Sequence, residues 1–307
     1  MSVARQTKNE LVRVKIHQPC CSKAELMAML HMRGSLTKSG ENIHLEVTTE
    51  NTATARRFFQ LFKGVFKFSP ELLFHHKSSL QKNKVFILRF SDKEKIPQIL
   101  NELGFSLHTQ GVEWRNLRRR CCRRAYARGA FLASGSLINP KVAYHLEINC
   151  PYHHYAQLLK EVLVSFQLQA KSFKRKNDFV VYFKGSEQIV EFLRIIEAHN
   201  TLLNFENVRI IKGMRSQINR LVNCDTANME KTVIAAQKQI ENINTIERLI
   251  GLENIPPVLR RTAELRRLHP EASLKELGEM FDPPVGKSGI NHRLRRINAL
   301  AKKLKPR

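Results

Sequence analysis

The sequence predicts an α+β protein built from a duplicated domain with two-fold pseudo-symmetry, followed by a long linker helix and an all-α C-terminal domain. Three observations support this prediction. Residues 20–36 recur as residues 121–137, at an offset of 101 (121 − 20) without a gap. Each copy has the pattern of a helix followed by strands. The last part of the chain changes to basic helical segments that begin at a pair of prolines.

The duplication rests on two separate groups of identical residues that share one register. In the first group Cys20, Cys21, Ala24, Gly34, Ser35 and Leu36 recur as Cys121, Cys122, Ala125, Gly135, Ser136 and Leu137. In the second group His44-Leu45-Glu46 recurs as His145-Leu146-Glu147 at the same offset. Chance does not readily produce both matches, so the sequence indicates an internal repeat.

Each copy predicts a closely packed helix and then a strand. In the second copy small residues recur at helical spacing, at Ala125, Gly129 and Ala133, which allows two helix backbones to approach each other. In the first copy apolar and polar residues alternate between Ile43 and Val47, which is the period of a strand. We therefore expect the two small-residue helices to pack together at the centre of the duplicated domain.

The other elements of this domain repeat in the same order. In the first half we predict an opening helix over residues 3–16, an amphipathic helix over 53–66, two strands within 71–90 and a closing helix over 92–103. In the second half we predict a helix over 153–166, a strand pair over 170–183 and a helix over 186–200. The duplicated domain thus extends over about 1–215, with repeats of about 1–105 and 106–215.

The two helices that end before a glycine resemble those of the LAGLIDADG homing-endonuclease fold. In that family the helices form the central interface, and each ends in an acidic residue that holds the divalent metals used to cut DNA. The residues at these positions are Arg33 and Ser134. Neither supplies an anionic oxygen, and Arg33 would repel a cation. We therefore expect a LAGLIDADG-like scaffold with degenerate acid positions and with no catalytic residue, metal or cofactor.

The charge of the chain favours a polyanionic partner. Lys and Arg number 52 and Asp and Glu number 27, which gives a formal net charge of +25. Nucleic acid is the usual partner of so basic a protein, and an anionic membrane surface is the alternative. We expect no membrane span, because no apolar run has the required length. We also expect no signal peptide, because residues 1–16 lack an apolar stretch.

The six cysteines include two vicinal pairs and no CxxC motif. This is not zinc-ligand spacing. We interpret the cysteines as reduced thiols that mainly fill small spaces in the core. A redox or metal-binding role is the alternative.

Basic residues are concentrated at two places in the duplicated domain. No acidic residue lies between Glu113 and Glu147, and crowding of like charges destabilises a fold unless an anion relieves it. We therefore predict DNA phosphate contacts for the arginine segment of this interval, with a solvated face as the alternative. The arginine segment comprises Arg115, Arg118, Arg119, Arg120, Arg123, Arg124 and Arg128. A second basic cluster comprises Lys171, Lys174, Arg175 and Lys176. The likeness to homing endonucleases, whose concave sheets face DNA, implies that this cluster flanks the duplex.

A long helix is predicted from about Asp225 to Gly251, within a linker over residues 216–253. Its apolar residues recur mostly at intervals of three or four, at Met229, Val233, Ala236, Ile240, Ile243 and Ile250. Three interpretations remain open: a helix packed on one domain, a spacer between two DNA-binding ends, and a dimer seam.

Residues 254–307 predict a helix-turn-helix domain. The pattern gives helices over 256–270, 272–281 and 288–304, with a turn at 282–289. The first helix places Leu259, Thr262, Leu265 and Leu268 inward and paired arginines outward. Ser273 is a candidate N-cap, and Glu276 lies at capping-box spacing. Three short helices with a turn before a polar third helix are typical of this DNA-binding motif.

The third helix carries the candidate base-reading residues. Its apolar stripe consists of Ile290, Leu294, Ile297, Ala301 and Leu304. Off this stripe lie the residues that we expect to contact DNA, namely Lys287, Ser288, Asn291, His292, Arg295 and Arg296. Asn can pair with adenine and Arg with guanine in the major groove.

The block ELRRLHPEASLKELGEMF…GKSGINHRLRRI resembles the C-terminal domain of the WhiA family. With the paired GSL helices, the resemblance covers nearly the whole chain. It implies a cytoplasmic, nucleoid-associated transcriptional regulator, without enzymatic activity, in cell division, chromosome segregation or sporulation. The implied partners are double-stranded DNA and other transcription or division proteins.

Two other classes of function are the alternatives. One is a metal-dependent endonuclease that uses Glu46 and Glu147, with His44 and His145 nearby. The non-catalytic interpretation is that these two glutamates are outward polar residues of a sheet or partners for basic side chains. The other class is a protein-binding adaptor that is anchored to DNA by its C-terminal domain.

Overall fold

The duplication in the sequence is also a duplication of helices, strands and strand register. The computed structural model describes residues 2–39, 42–78, 81–105 and 114–304. The chain divides into two units, residues 1–212 and 213–307. The predicted α+β fold with its duplicated domain, long helix and helical C-terminal domain is confirmed.

The two halves of the first unit contain the same succession of elements. The first half consists of α1 (Val3–Leu11), α2 (Pro19–Arg33), β1 (Gly34–Ser39), β2 (Asn42–Thr49), α3 (Thr52–Phe66), β3 (Glu71–Ser78), β4 (Gln81–Phe90) and α4 (Lys95–Glu102). The second half consists of α5 (Arg120–Ser134), β5 (Gly135–Leu137), β6 (Leu146–Cys150), α6 (His153–Val164), β7 (Lys171–Arg175), β8 (Asp178–Phe183) and α7 (Ser186–Ile195).

Each half forms one antiparallel four-stranded sheet. The strand orders are β1-β2-β4-β3 and β5-β6-β8-β7. Gly34 pairs with Val47 in the first sheet, and Gly135 pairs with Ile148 in the second. Both members of the pair are shifted by 101 residues (135 − 34 and 148 − 47). The repeat therefore preserves the strand register as well as the sequence.

Helices α2 and α5 cross at the centre of this unit with their backbones nearly in contact. A Cβ atom on Gly129 would lie 2.3 Å from the carbonyl oxygen of Glu25 and 3.0 Å from the Cβ of Ala28. Ala28 and Gly129 are themselves related by the repeat (129 − 28 = 101). The crossing point thus lies on the pseudo-two-fold axis, and only a small residue fits there. The predicted packing of the small-residue helices is confirmed.

A chain of buried charges runs through the crossing. Glu25 of α2 is fully buried. Its two carboxylate oxygens accept hydrogen bonds from Arg57 Nε of α3, at 2.8 Å, and from Arg128 Nε of α5, at 2.7 Å. Arg128 Nη1 also donates to Glu197, at 2.5 Å, and Glu197 accepts a second bond from Arg124, at 3.3 Å. One carboxylate therefore joins three helices, and a second extends the network to the segment after α7.

The opening helix is shorter than the predicted span of 3–16, since α1 ends at Leu11. Leu11 is buried, and the carbonyl oxygen of Val12 accepts a hydrogen bond from Arg57 Nη1 at 3.3 Å. Glu10, in the last turn, accepts hydrogen bonds from the backbone N–H groups of Asn200 and Thr201, at 2.6 and 3.1 Å. Helix α1 thereby caps the start of the helix that follows α7.

That following helix, α8 (His199–Ile250), is 52 residues long and begins 26 residues before the predicted start (225 − 199). Residues 213–235 are all exposed, so this part of the helix lacks the periodic buried positions that the prediction used. Within the predicted apolar stripe, Met229 and Val233 are exposed, whereas Ala236 and Ile243 are buried. Only the C-terminal half of the predicted apolar stripe therefore contains buried residues.

The second unit packs the end of α8 against three short helices. These are α9 (Pro257–Leu268), α10 (Leu274–Glu279) and α11 (Lys287–Leu304), preceded by a 3-10 turn at Leu252–Asn254. The core contains Ile243 and Ile246 of α8, Leu259 and Ala263 of α9, and Leu277 of α10. The predicted stripe of α11 is confirmed, with Ile290, Leu294, Ile297 and Ala301 buried and Leu304 packed at its edge.

The face predicted for α9 is wrong at two positions. Leu268 is 72% exposed, whereas Arg266 is buried. Arg266 Nη1 donates to the carbonyl oxygen of Ala272 at 2.7 Å, beyond the end of the helix. An arginine can turn inward here because its long side chain reaches carbonyl groups of the segment after the helix, at His269, Pro270 and Ala272. In the described ranges, no helix combines the length and apolar character needed to cross a bilayer.

The buried network leads to a stability prediction. Glu25→Gln removes the charge that Arg57 and Arg128 share, and an uncompensated buried charge costs about 3–5 kcal/mol. We expect urea denaturation, followed by circular dichroism, to show a loss of this size in the free energy of unfolding. The matched control is Glu191→Gln, which breaks an exposed pair with Arg194 and should cost less than about 1 kcal/mol. Equal losses in the two variants would contradict a structural role for the network.

Candidate DNA-binding surfaces

The start of the helix-turn-helix is fixed by a capping box. Ser273 Oγ accepts a hydrogen bond from the backbone N–H of Glu276 at 3.3 Å, and Glu276 Oε2 accepts one from the N–H of Ser273 at 2.7 Å. Both predicted roles are thus confirmed. The cap thereby satisfies the N–H groups of Ser273 and Glu276, which have no partner within the helix.

The turn between α10 and α11 folds back closely onto α10. The N–H of Val285 donates to the carbonyl oxygen of Gly278 at 2.9 Å. A Cβ atom on Gly278 would lie 2.0 Å from the carbonyl oxygen of Val285. Only glycine allows this approach, which fixes where α11 begins relative to α10.

The polar face of α11 is open to solvent. Lys287, Ser288, His292, Arg295 and Arg296 are exposed and Asn291 is half-buried. In the part of the chain that the structure describes, no ion pair or side-chain hydrogen bond occupies these six groups. Neighbouring polar residues are held in place instead: the Arg293 guanidinium lies 4.9 Å from the Phe281 ring centroid. Asn298 accepts a hydrogen bond from Asn242 of α8 at 3.0 Å. The helix therefore presents free donors on one face and is anchored on the others.

The arginine segment divides into an exposed part and an engaged part. Arg118, Arg119 and Arg120 are exposed at the start of α5, and the Arg120 guanidinium lies 5.5 Å from the Phe166 ring centroid. Arg123 is half-buried, and Arg124 is bonded to Glu197. The side chain of Arg115 lies outside the described residues. The first three arginines are thus the members best placed to meet a phosphate.

Arg128 is a correction to the predicted set of DNA contacts. It is only 3% exposed, and both Glu25 and Glu197 bind its guanidinium. No phosphate can reach a group so enclosed. The sequence argument failed because it counted acidic residues only along the chain between Glu113 and Glu147. The acids that neutralise Arg128 are 103 and 69 residues away.

The second basic cluster lies on β7, the outer strand of the second sheet. All five residues of this strand are exposed, and Lys176 in the following turn is exposed as well. Arg175 is partly engaged, because its guanidinium donates to Glu147 at 3.1 Å and to Asn149 at 2.8 Å. Lys171, Lys174 and Lys176 carry no such partner among the described residues.

The degenerate acid positions lie where α2 and α5 end. Ser134 is buried, and its Oγ donates to the carbonyl oxygen of Asn149 at 2.6 Å. Arg33 is exposed and lies near Lys8 of α1. Burial of Lys8, reinforced by the charge of Arg33, lowers the pKa of that lysine to about 8. The ends of the two helices therefore carry an engaged hydroxyl and a positive potential, and both are unsuited to a hard divalent cation.

The two repeat-related glutamates are ion-pair partners on their own sheets. Glu46 is bonded to Arg89 Nε at 2.7 Å, and Glu147 is bonded to Arg175 and, at 3.2 Å, to His145. His44 Nδ1 lies 3.0 Å from Ser91 Oγ. These contacts agree with the interpretation of the glutamates as partners for basic side chains.

Three family models together match most of the chain. The WhiA N-terminal LAGLIDADG-like domain matches residues 19–106, and the WhiA LAGLIDADG-like domain matches residues 123–215. The WhiA C-terminal HTH domain matches residues 218–301. The two halves of the first unit thus correspond to two related domain models.

Individual relatives match over the full length. The chain is 50% identical to the probable cell division protein WhiA of Desulforamulus reducens over 99% of this chain and 97% of that protein. It is 48% identical to the protein of the same name from Natranaerobius thermophilus, over 99% and 96%. Among solved structures, the full-length DUF199/WhiA of Thermotoga maritima aligns with a TM-score of 0.60 at 27% identity, over 99% of both chains.

The exposed arginines lead to a prediction about salt dependence. Replacing Arg118, Arg119 and Arg120 with Ala should flatten the plot of log DNA affinity against log salt, by about 0.9 for each lost phosphate contact. The measurement is fluorescence anisotropy with a random-sequence duplex over a range of salt concentrations. A matched control removes three exposed charges from α3 and α7, by Arg56→Ala, Lys63→Ala and Arg194→Ala. If both triple variants keep the wild-type slope, the arginine segment does not touch the DNA backbone.

Proposed function

The chain belongs to the WhiA family, and we propose that it is a non-enzymatic, sequence-specific DNA-binding regulator of bacterial cell division. The observation that carries this proposal is the free polar face of α11, within a domain that matches the WhiA HTH model. The process is taken from the relatives, which are named probable cell division proteins. A role in chromosome segregation, or in sporulation where the host sporulates, is part of the same proposal, as is a cytoplasmic, nucleoid-associated location.

In this proposal the first turns of α11 read the bases. The N-terminal residues of a recognition helix reach base edges, and later residues meet phosphates. Asn291 would pair with adenine and Arg295 with guanine, while Ser288 and His292 supply further polar contacts. Arg296 and Lys302 lie further round or further along the helix and would bind the backbone. Lys287, at the start of the helix, would also meet a phosphate.

The duplicated domain would add affinity that does not depend on sequence. The exposed cations that the proposal assigns to phosphate contacts lie in two places, Arg118–Arg120 at the start of α5 and Lys174 with Lys176 at the second sheet. Phosphate contacts of this kind position a protein on the duplex without reading it. The proposed division of labour assigns residues 1–215 to backbone binding, 216–253 to a linker and 254–307 to base recognition.

A second candidate function is that of an adaptor whose duplicated domain binds protein and leaves DNA to the C-terminal domain. One observation favours it: on β3, the outer strand of the first sheet, Leu72 and Phe74 are 52% and 61% exposed. The corresponding strand of the second sheet, β7, is basic. The adaptor hypothesis predicts unchanged DNA affinity when Arg118, Arg119 and Arg120 are replaced, whereas the main proposal predicts a loss.

Base reading by α11 leads to the central test. A target is first selected from a random duplex library with the full chain. Arg295→Ala and Asn291→Ala should each weaken binding to that target by about ten- to a hundredfold, because a good base contact contributes roughly 1–3 kcal/mol of discrimination. Binding to a scrambled duplex at the same salt concentration should change far less.

The matched controls are Arg296→Ala and Lys302→Ala, which should weaken binding to the target and the scrambled duplex about equally. Circular dichroism and thermal unfolding establish that each variant is folded. If folded Arg295→Ala and Asn291→Ala lose affinity for both duplexes to the same extent, α11 does not read bases. Specificity would then have to come from the duplicated domain.

The absence of nuclease activity is the other test of the proposal. We expect the full chain to leave supercoiled and target-bearing DNA intact in the presence of Mg²⁺ or Mn²⁺, because Arg33 and Ser134 replace the acids of a metal site. Agarose gel electrophoresis measures nicking and linearisation. Cleavage that survives thorough purification and disappears in Glu46→Gln or Glu147→Gln would support the endonuclease alternative instead.

A further inference from the structure

Four cysteines meet where the two central helices begin. Cys20 and Cys21 occupy the first turn of α2, and Cys121 and Cys122 occupy the first turn of α5. The four Sγ atoms all lie within 4.8 Å of one another. Cys20 and Cys121, like Cys21 and Cys122, are related by the repeat. The pseudo-two-fold axis therefore converts two vicinal pairs that are 101 residues apart into one cluster of four thiols.

The dimensions of the cluster suit a single tetrahedral metal ion. A zinc ion bound by four thiolates has Zn–S distances of about 2.3 Å, which places the sulfurs about 3.8 Å apart. The largest Sγ–Sγ separation in the cluster exceeds this value by no more than about 1 Å (4.8 − 3.8). An iron–sulfur cluster interposes several atoms between its ligands and would need the four sulfurs further apart. Four soft sulfur ligands also exclude hard cations such as Mg²⁺ and Ca²⁺.

The surroundings of the cluster favour a negatively charged complex. One divalent ion with four thiolates carries a net charge of −2. The ligands lie in the first turns of two helices, where the partial positive charge of the helix dipole stabilises anions. Arg119 is the N-cap residue of α5 and directly precedes this turn. Gln18 Oε1 accepts hydrogen bonds from the thiols of Cys20 and Cys121, at 3.5 and 3.7 Å. A 180° rotation of this amide would offer its N–H donors to metal-bound thiolates.

The four thiols are partly buried, which suits a structural metal site that an ion can still reach from solvent. Cys21 and Cys122 are buried, whereas Cys20 and Cys121 are accessible from the surface. The other two cysteines lie elsewhere, with Cys150 buried in β6 and Cys224 exposed on α8. Four protein ligands leave no open coordination position, so the site would be structural rather than catalytic.

We propose that Cys20, Cys21, Cys121 and Cys122 form a binding site for one zinc ion that joins the starts of α2 and α5 across the pseudo-two-fold axis. Zinc at this site ties together two segments that the chain separates by about a hundred residues. Binding to the folded state alone then stabilises the fold by mass action. It also holds the backbone of Arg118–Arg120, which directly precede the second cysteine pair.

The test uses the full chain, reduced and stripped of metal with a chelator, and titrated with Co²⁺ as a spectroscopic probe. We expect one Co²⁺ per chain, with thiolate-to-metal charge-transfer bands and the visible bands of tetrahedral Co²⁺, all removed by adding Zn²⁺. Zn²⁺ should raise the thermal midpoint of unfolding. Cys20→Ser combined with Cys121→Ser should lower the Zn²⁺ affinity by at least about a hundredfold. Loss of a second-shell partner lowers metal affinity by about ten- to a hundredfold, so a larger loss indicates that direct ligands were removed.

The matched control is Cys224→Ser, which removes a cysteine outside the cluster and should keep the wild-type spectrum and the shift in thermal midpoint. Cys20→Ser alone, checked by circular dichroism, provides a milder variant if the double variant does not fold. Titration of a denatured sample with a thiol reagent should count six free thiols before metal is added. Three results would overturn the proposal: reduced protein that binds no Co²⁺, a tetrahedral thiolate spectrum that persists in the double variant, or cysteines that pair as disulfides and cannot be metallated after reduction.

Discussion

The fold of the duplicated domain depends on the contact between α2 and α5, where a glycine brings two backbones together around a buried carboxylate. Because Gly129 has no Cβ, Glu25 can lie between Arg57 and Arg128 and bind both. A buried charge is tolerated only when it is paired and hydrogen-bonded, so a shift of either helix would break an ion pair of the buried Glu25. The network therefore fixes the crossing geometry, and through Glu197 it also fixes where the chain enters α8.

This crossing places different chemistry at its two ends. The helices begin at the cysteine cluster and the exposed arginines, and they end at Arg33 and Ser134. In the homing endonucleases that the scaffold resembles, the ends carry the metal-binding acids. Here Ser134 is engaged in a backbone hydrogen bond and Arg33 adds positive charge. The residues at these two repeat-related positions therefore supply no anionic ligand for a divalent cation.

The repeat made most of this fold predictable, because a common offset links strands, helices and register at once. The capping box at Ser273 was also predictable, since it depends on residues three apart. Contacts distant in sequence were not. Arg128 carries no local sign of its pairing with Glu25, and the inward turn of Arg266 depends on carbonyl groups beyond the helix end. The early start of α8 was not predicted, because the buried residues of its first turns, such as Phe205, are separated from its C-terminal buried residues by the exposed stretch 213–235.

In a duplicated domain, metal ligands can come from repeat-related positions, so their spacing along one segment does not identify the site. A search for zinc sites compares cysteines within one segment, and by that criterion two vicinal pairs are unsuitable. In a duplicated domain with its helices on the pseudo-two-fold axis, the relevant comparison is between a residue and its repeat-related counterpart. Cys20 and Cys121 are neighbours by that criterion, as are Ala28 and Gly129 at the crossing itself. The offset of 101 relates Cys20 to Cys121 and Cys21 to Cys122, so the four thiols must converge if the repeat-related helices pack together at these ends. The structure supplies this condition, because α2 packs against α5.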